Sequence, residues 1–202
     1  MRTTRGDVVS AALQVLDEKG LPGLTMRAVA ERLGVQHNTV RWHAASKSRL
    51  LELASDELLA HCADEPLPDE WRERLRVLSH RCRSALLSHR DGARMVAGVF
   101  TAEPHTMRYT DTVLATLLRA GFSKRTAARA HWTVFYLTLG LAQEQQAIQD
   151  DPRALDPGEI SATDYPAVTA VLPYIGSDDF DERFDFALDL LLEALGNRRT
   201  AP

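Results

Sequence analysis

The chain has 202 residues, 45% of them apolar and 26% charged, with a formal net charge of -4. This is enough apolar surface for a packed core, whereas no apolar run approaches the about 18 residues of a membrane span, and MRTTRGDVV lacks the apolar stretch of a signal peptide. The composition argues against a membrane or exported protein and for a cytoplasmic one, and two cysteines, Cys62 and Cys82, are too few for a disulfide framework.

Apolar spacing is helical nearly everywhere, and no segment alternates long enough to predict a strand, so the expected fold class is all-α. Val8, Ala11, Ala12, Val15 and Leu16 make one face of a first helix that should stop at Gly20. Thr25 caps MRAVAERL, which Gly34 ends; QHNTVRWH (36 to 43) follows after two residues. Ser46 caps a long run expected to continue to residue 65, closed by Pro66 and Pro68. Asp69 to His89 reads as another long helix, RMVAGVF (94 to 100) as a short one, and residues 103–120 and 123–149 as two more, parted by Gly121 and capped by Ser123. DDPRALDPGEISATDYP (150 to 166) has no periodicity and three prolines, and reads as a mobile loop. A short helix near Ala167 to Tyr174 precedes the last one, FDERFDFALDLLLEALG.

That last helix has more apolar surface than one stripe needs. Phe180, Phe184, Ala187, Leu188, Leu191 and Leu195 form a stripe, while Phe186, Leu190, Leu192 and Ala194 widen it to most of the circumference. Such a helix must bury against something beyond its own core, and a second copy in a twofold dimer is the expected partner.

Charge is unevenly spread. Residues 1 to 50 hold eight basic and four acidic residues, a net of +4; the remainder holds sixteen basic and twenty-four acidic, a net of -8. A small basic head on an acidic body is the expected footprint of a nucleic-acid reader. Two short helices joined by Gly34-Val35 have helix-turn-helix spacing, and the second is the polar one. In this motif the second helix enters the major groove and presents base-reading side chains in place of a core face. His37, Asn38 and Thr39 occupy its first turn, and Val40 alone should point inward. Thr25 and Lys47 stand at helix N-termini, where amides and positive charge favour phosphate; Arg27 suits a guanine edge, and Arg41, Trp42 and His43 the sugar-phosphate wall. The partner expected is double-stranded DNA.

At these residues a resemblance is plain. AALQVLDEKGLPGLTMRAVAERLGVQHNTVRWHAASKSRLLE is similar to the N-terminal domain of the TetR family of one-component bacterial regulators. CRSALLSHRDGARM, AGFS and TLGLAQEQQ in the body resemble the tetracycline-repressor branch of that family. The resemblance implies a helix-turn-helix DNA-binding domain over residues 1–46 and a helical effector-binding and dimerisation domain over 47–202. It also implies a homodimer that grips a palindromic operator and is released by a small molecule, most simply as a repressor; an activator, or a DNA-binding protein without an effector, is the alternative.

In the tetracycline-repressor branch a histidine on the short helix after SHRDGA holds the drug's magnesium. Here that position is Val96, which cannot ligate a cation, and other polar drug-contacting positions match Ala63, Leu78, Cys82 and Val99. Glu144 matches the acidic residue of the metal's outer shell but lacks its partner. The expected cavity is therefore lined by Leu78, Cys82, Val96, Val99, Phe100, His131 and Phe135, with Glu144 also a candidate contact. It should suit a largely apolar or aromatic compound and not a magnesium-tetracycline chelate, with no metal and no cofactor. Catalysis is not expected: His89-Arg90-Asp91 is similar to a kinase catalytic loop, but Val96 stands where that loop needs asparagine, and no glycine-rich phosphate loop is present.

Overall fold

The computed structural model describes residues 3–99, 101–150, 160–175 and 179–199. Among them the elements are α1 (Arg5–Gly23), α2 (Met26–Leu33), α3 (His37–His43), α4 (Lys47–Leu58), α5 (Trp71–Leu87), α6 (Gly92–Ala97), α7 (Pro104–Arg119), α8 (Lys124–Asp150), α9 (Pro166–Ile175) and α10 (Phe180–Arg199), with no strand. None of these helices is long and apolar enough to cross a membrane.

Local signals in the sequence set most of the boundaries. Thr4 and Asp7 form a capping box at the start of α1, the Thr4 amide donating to Asp7 Oδ2 at 2.8 Å and the Asp7 amide to Thr4 Oγ1 at 3.2 Å. The regular helix of α1 breaks at Gly20 as expected, where φ is 66°, and a separate further turn, Leu21 to Gly23, follows the kink. Thr25 caps α2 by accepting from the Ala28 amide at 3.1 Å. Gly34 ends it in left-handed backbone at φ 64°, while the amides of Gly34 and Val35 donate back to Glu31 O and Ala30 O. Val8, Ala12 and Leu16 of α1, Val29 of α2, Val40 of α3 and Leu50 of α4 are all sealed from solvent, and this small core fixes the helix-turn-helix. Each buried valine or leucine of this set contributes about 1.5 to 3 kcal/mol.

α4 is shorter than the 46 to 65 expected. Ser46 caps it, but after Leu58 the chain tightens into turns, Leu59 N donating to Asp56 O and Cys62 N to Leu59 O. The reason lies on α5, where the Arg81 guanidinium takes the carbonyls of Asp64 and Pro66 and draws the chain off the helix axis. α5 likewise begins two residues late, at Trp71, with the Glu70 side chain as its cap, and ends at Leu87. α6 covers Gly92–Ala97 and not 94–100, because Asp91 at φ 57° starts it earlier; Phe100 lies outside the described residues.

In the body, α5 buries Trp71, Leu75, Leu78, Cys82 and Leu86 and packs against α6, α7 and α8. α8 packs in turn on α10, whose buried stripe is Phe180, Phe184, Leu188, Leu192 and Leu195. Leu192 thus takes the core position expected of Leu191, which is half-buried, and Phe186 and Leu190 remain exposed. Arg76, His80 and Arg83 of α5 pair with Asp189, Asp185 and Asp181 of α10 along the seam. α9 buries none of its residues. Of the segment read as a mobile loop, 151–159 lie outside the described residues.

Candidate functional site

α3 turns almost everything outward. Val40 is its only buried residue; His37, Asn38 and Arg41 are exposed, Thr39 and His43 half-buried, and Trp42 leaves 80% of its surface in solvent. An indole that open is not a core residue. Thr25 at the α2 cap, Arg27 on its first turn and Lys47 at the start of α4 are exposed around α3. Among the described residues Arg27, Arg41 and Lys47 enter no ion pair. Arg32 and Arg49 nearby are already committed, Arg32 to Glu18 at 2.6 Å and Arg49 to Glu52 and Glu103 at 2.8 and 2.7 Å. The Arg49 guanidinium holds the Glu103 carboxyl below its ordinary range. Arg27, Arg41 and Lys47 are therefore uncommitted cations on and beside the outward helix, as Arg5 and Lys19 are elsewhere on α1.

A cavity of about 630 Å³ lies in the body between α4, α6, α7 and α8. Val96 and Val99 line it from α6 and the residues just beyond it, His131 and Phe135 from α8. Leu78 and Cys82, expected with them, do not: both are fully buried on the α5 stripe, inside packed core behind the cavity. Burial pushes the Cys82 thiol well up and that of Cys62 to about 12, so both are protonated and unreactive at neutral pH. Glu144 does not reach the cavity either; it is exposed on α8, 3.5 Å from Arg183 of α10. No cluster of three metal-ligating side chains occurs among the described residues.

Residues of the cavity not foreseen are more telling. Trp132 and Tyr136 extend the α8 wall, Tyr109 and Thr110 face it from α7, and Ser55 from α4. The run HWTVFY (131 to 136) carried the signal, since 131, 132, 135 and 136 share one helical face. Ser55 is 97% buried, and its Oγ has no hydrogen-bond partner among the described residues. His131 has a pKa pushed below the ordinary histidine value by burial, so its ring is neutral at neutral pH. No Asp, Glu, Lys or Arg is among the described residues that line the cavity.

The cavity walls connect to the head by specific bonds. Asp91, which opens α6, accepts from the Leu21 amide at 2.7 Å, and a Cβ on Gly20 would lie only 2.9 Å from the same carboxylate oxygen. Asp17 of α1 pairs with His89 at 2.9 Å and accepts from the Arg90 amide at 3.1 Å. Gln146 of α8 pins this turn, donating to Leu86 O and His89 O at 3.1 and 2.8 Å and accepting from the Ala93 amide at 3.1 Å.

Comparison with known proteins places this arrangement. Residues 8–54 match the family described as bacterial regulatory proteins, tetR family, and residues 65–198 match the tetracyclin repressor-like C-terminal domain. The chain belongs to the TetR family. It is 37% identical over 200 residues to the tetracycline repressor protein class A from transposon 1721 of Escherichia coli, covering 95% of this chain and 90% of that protein. A possible TetR family transcriptional regulator from Streptomyces coelicolor A3(2) superposes with a TM-score of 0.88 at 36% identity, over 96% of this chain and 99% of that one. ActR of Streptomyces coelicolor, solved in complex with actinorhodin, superposes with a TM-score of 0.85 at 27% identity, over 96% and 95% of the two chains. As a TetR-family member the chain is a ligand-responsive transcriptional regulator of the repressor type, and not an enzyme.

Proposed function

We propose that this TetR-family chain acts in the cytoplasm as a homodimer that represses from a palindromic operator and is released when a largely apolar or aromatic molecule, without magnesium, enters the α6 to α8 cavity. Residues 1–46 form the DNA-binding domain and 47–202 the effector-binding and dimerisation domain. The observation that carries this reading is the pairing of an outward α3, with its ring of uncommitted cations, and an uncharged cavity whose α6 wall bonds to the head through Asp91. His37, Asn38 and Thr39 read base edges; Thr25, Arg41, Trp42, His43 and Lys47 hold the backbone; Arg27 reaches a guanine. Ligand pressure on Val96 and Val99 displaces α6, and the Leu21 to Asp91 bond carries the displacement into α1. A coupling of about 1 to 3 kcal/mol suffices for a 5- to 150-fold change in operator affinity.

Selection from a random duplex library with the full-length protein tests the reading. It should return an inverted repeat with half-site centres about 34 Å apart, or a multiple of that. On that repeat, Lys47→Ala should weaken binding to every sequence and lower the salt slope by about one unit. Asn38→Ala should relax preference at one position, at about 1 to 3 kcal/mol. Recovery of no inverted repeat, or equal losses by both variants on all sequences, would overturn the assignment.

A further inference from the structure

The cavity wall carries specific chemistry of its own. α8 presents two i, i+4 aromatic pairs with nearly parallel planes: His131 with Phe135, centroids 6.4 Å apart at 21°, and Trp132 with Tyr136, 5.4 Å apart at 23°. The second pair stands at the rim, Trp132 39% and Tyr136 61% exposed. Across from α8, Ser55 holds a buried hydroxyl without a partner among the described residues, a costly arrangement unless something else supplies the hydrogen bond. Among the described residues no ionised side chain lines the space between.

We infer that the cavity, taken as the effector site proposed above, selects an uncharged, planar, oxygen-bearing aromatic compound, its ring laid against the Trp132 and Tyr136 faces and one oxygen bonded to Ser55 Oγ. Flat faces on one wall give a flat ring more contact than a globular molecule of equal volume, and stacked or edge-on aromatic contacts add to plain area burial. Charge is excluded because an ion would lose its hydration here without meeting a counter-charge. A volume of about 630 Å³ lies in the range of small-molecule sites and admits several fused rings. The neutral ring of His131 supplies a second polar contact without adding charge.

Calorimetric titration of the full-length protein with three probes tests this: 1-hydroxyanthraquinone (planar, neutral), anthraquinone-2-sulfonate (planar, anionic) and 1-adamantanol (globular, neutral). The first should bind at least tenfold tighter than either of the others. Trp132→Leu should weaken it about tenfold and Trp132→Phe much less. Ser55→Ala should cost about three- to tenfold, with thermal unfolding unchanged or raised because an unsatisfied hydroxyl is removed. The inference is overturned if the sulfonate or the adamantanol binds as tightly as the neutral quinone, if the quinone does not bind, or if Trp132→Leu and Ser55→Ala leave its affinity unchanged. Quinone binding with this selectivity but no loss of operator affinity would leave the inference standing and sink the effector role instead.

Discussion

Trp42 exposes most of a large apolar side chain two residues from Val40, which is sealed completely. The pair shows how much of the reading surface the sequence discloses: on a seven-residue helix with one buried position, helical geometry assigns the other six to the outside. Trp42→Ala should therefore leave the folding free energy within about 0.5 kcal/mol, as exposed substitutions do, while operator affinity falls severalfold. Denaturant unfolding and a binding titration on one preparation check it; a stability loss above about 2 kcal/mol would make Trp42 a packing residue. Leu78 and Cys82 mark the limit of such reasoning. Their match to drug-contacting positions puts them on α5 and their place on its apolar stripe predicts burial correctly, but neither tells a packed core from the wall of a hole, because both are apolar and both face inward. Glu144 was placed by the same kind of match, which fixes its position on α8 but not what it faces across the seam to Arg183 of α10.

Between elements, short acidic side chains do much of the fastening. Asp56 is 5% exposed on α4 and accepts three bonds from the first turn of α7: the Thr106 amide and hydroxyl, each at 2.7 Å, and the His105 amide at 3.3 Å. It caps a helix that follows it by some fifty residues, and the added negative charge suits the N-terminal end of α7. Asp56→Ala strands these donors and should destabilise the fold by about 2 to 4 kcal/mol, read as a lowered denaturation midpoint. A loss below about 0.5 kcal/mol would show that the cap is dispensable. Local caps such as Thr25, Ser46 and Ser123 were legible in the sequence, since the partner amide sits three residues on. Asp56 was not, and neither was the shortening of α4, because both depend on groups brought together only by folding.

For the whole molecule, α10 carries two apolar stripes on different sides. Phe184 and Leu188 face α8 and the core; Phe186 and Leu190, exposing 66% and 53%, face solvent in the single chain. Burying both against a twin would contribute about 1.5 to 3 kcal/mol per side chain per subunit. A Phe186→Asp, Leu190→Asp double variant should sediment as a monomer at micromolar concentration with its helical content intact. It should also lose its preference for an inverted repeat over an isolated half-site. Persistence of the dimer would move the interface elsewhere. The sequence revealed the excess apolar surface, but not that Leu192 belongs to the inner stripe.

The joint at Gly20 and Asp91 leaves little room for change, since one position tolerates no Cβ and the other holds a left-handed backbone. The cavity lining is far more permissive: valines, a methionine and three leucines can be traded for others of similar bulk at small cost. A lineage built on this scaffold can thus drift toward new chemical signals by repainting one wall, while the joint proposed to pass the signal on stays as it was.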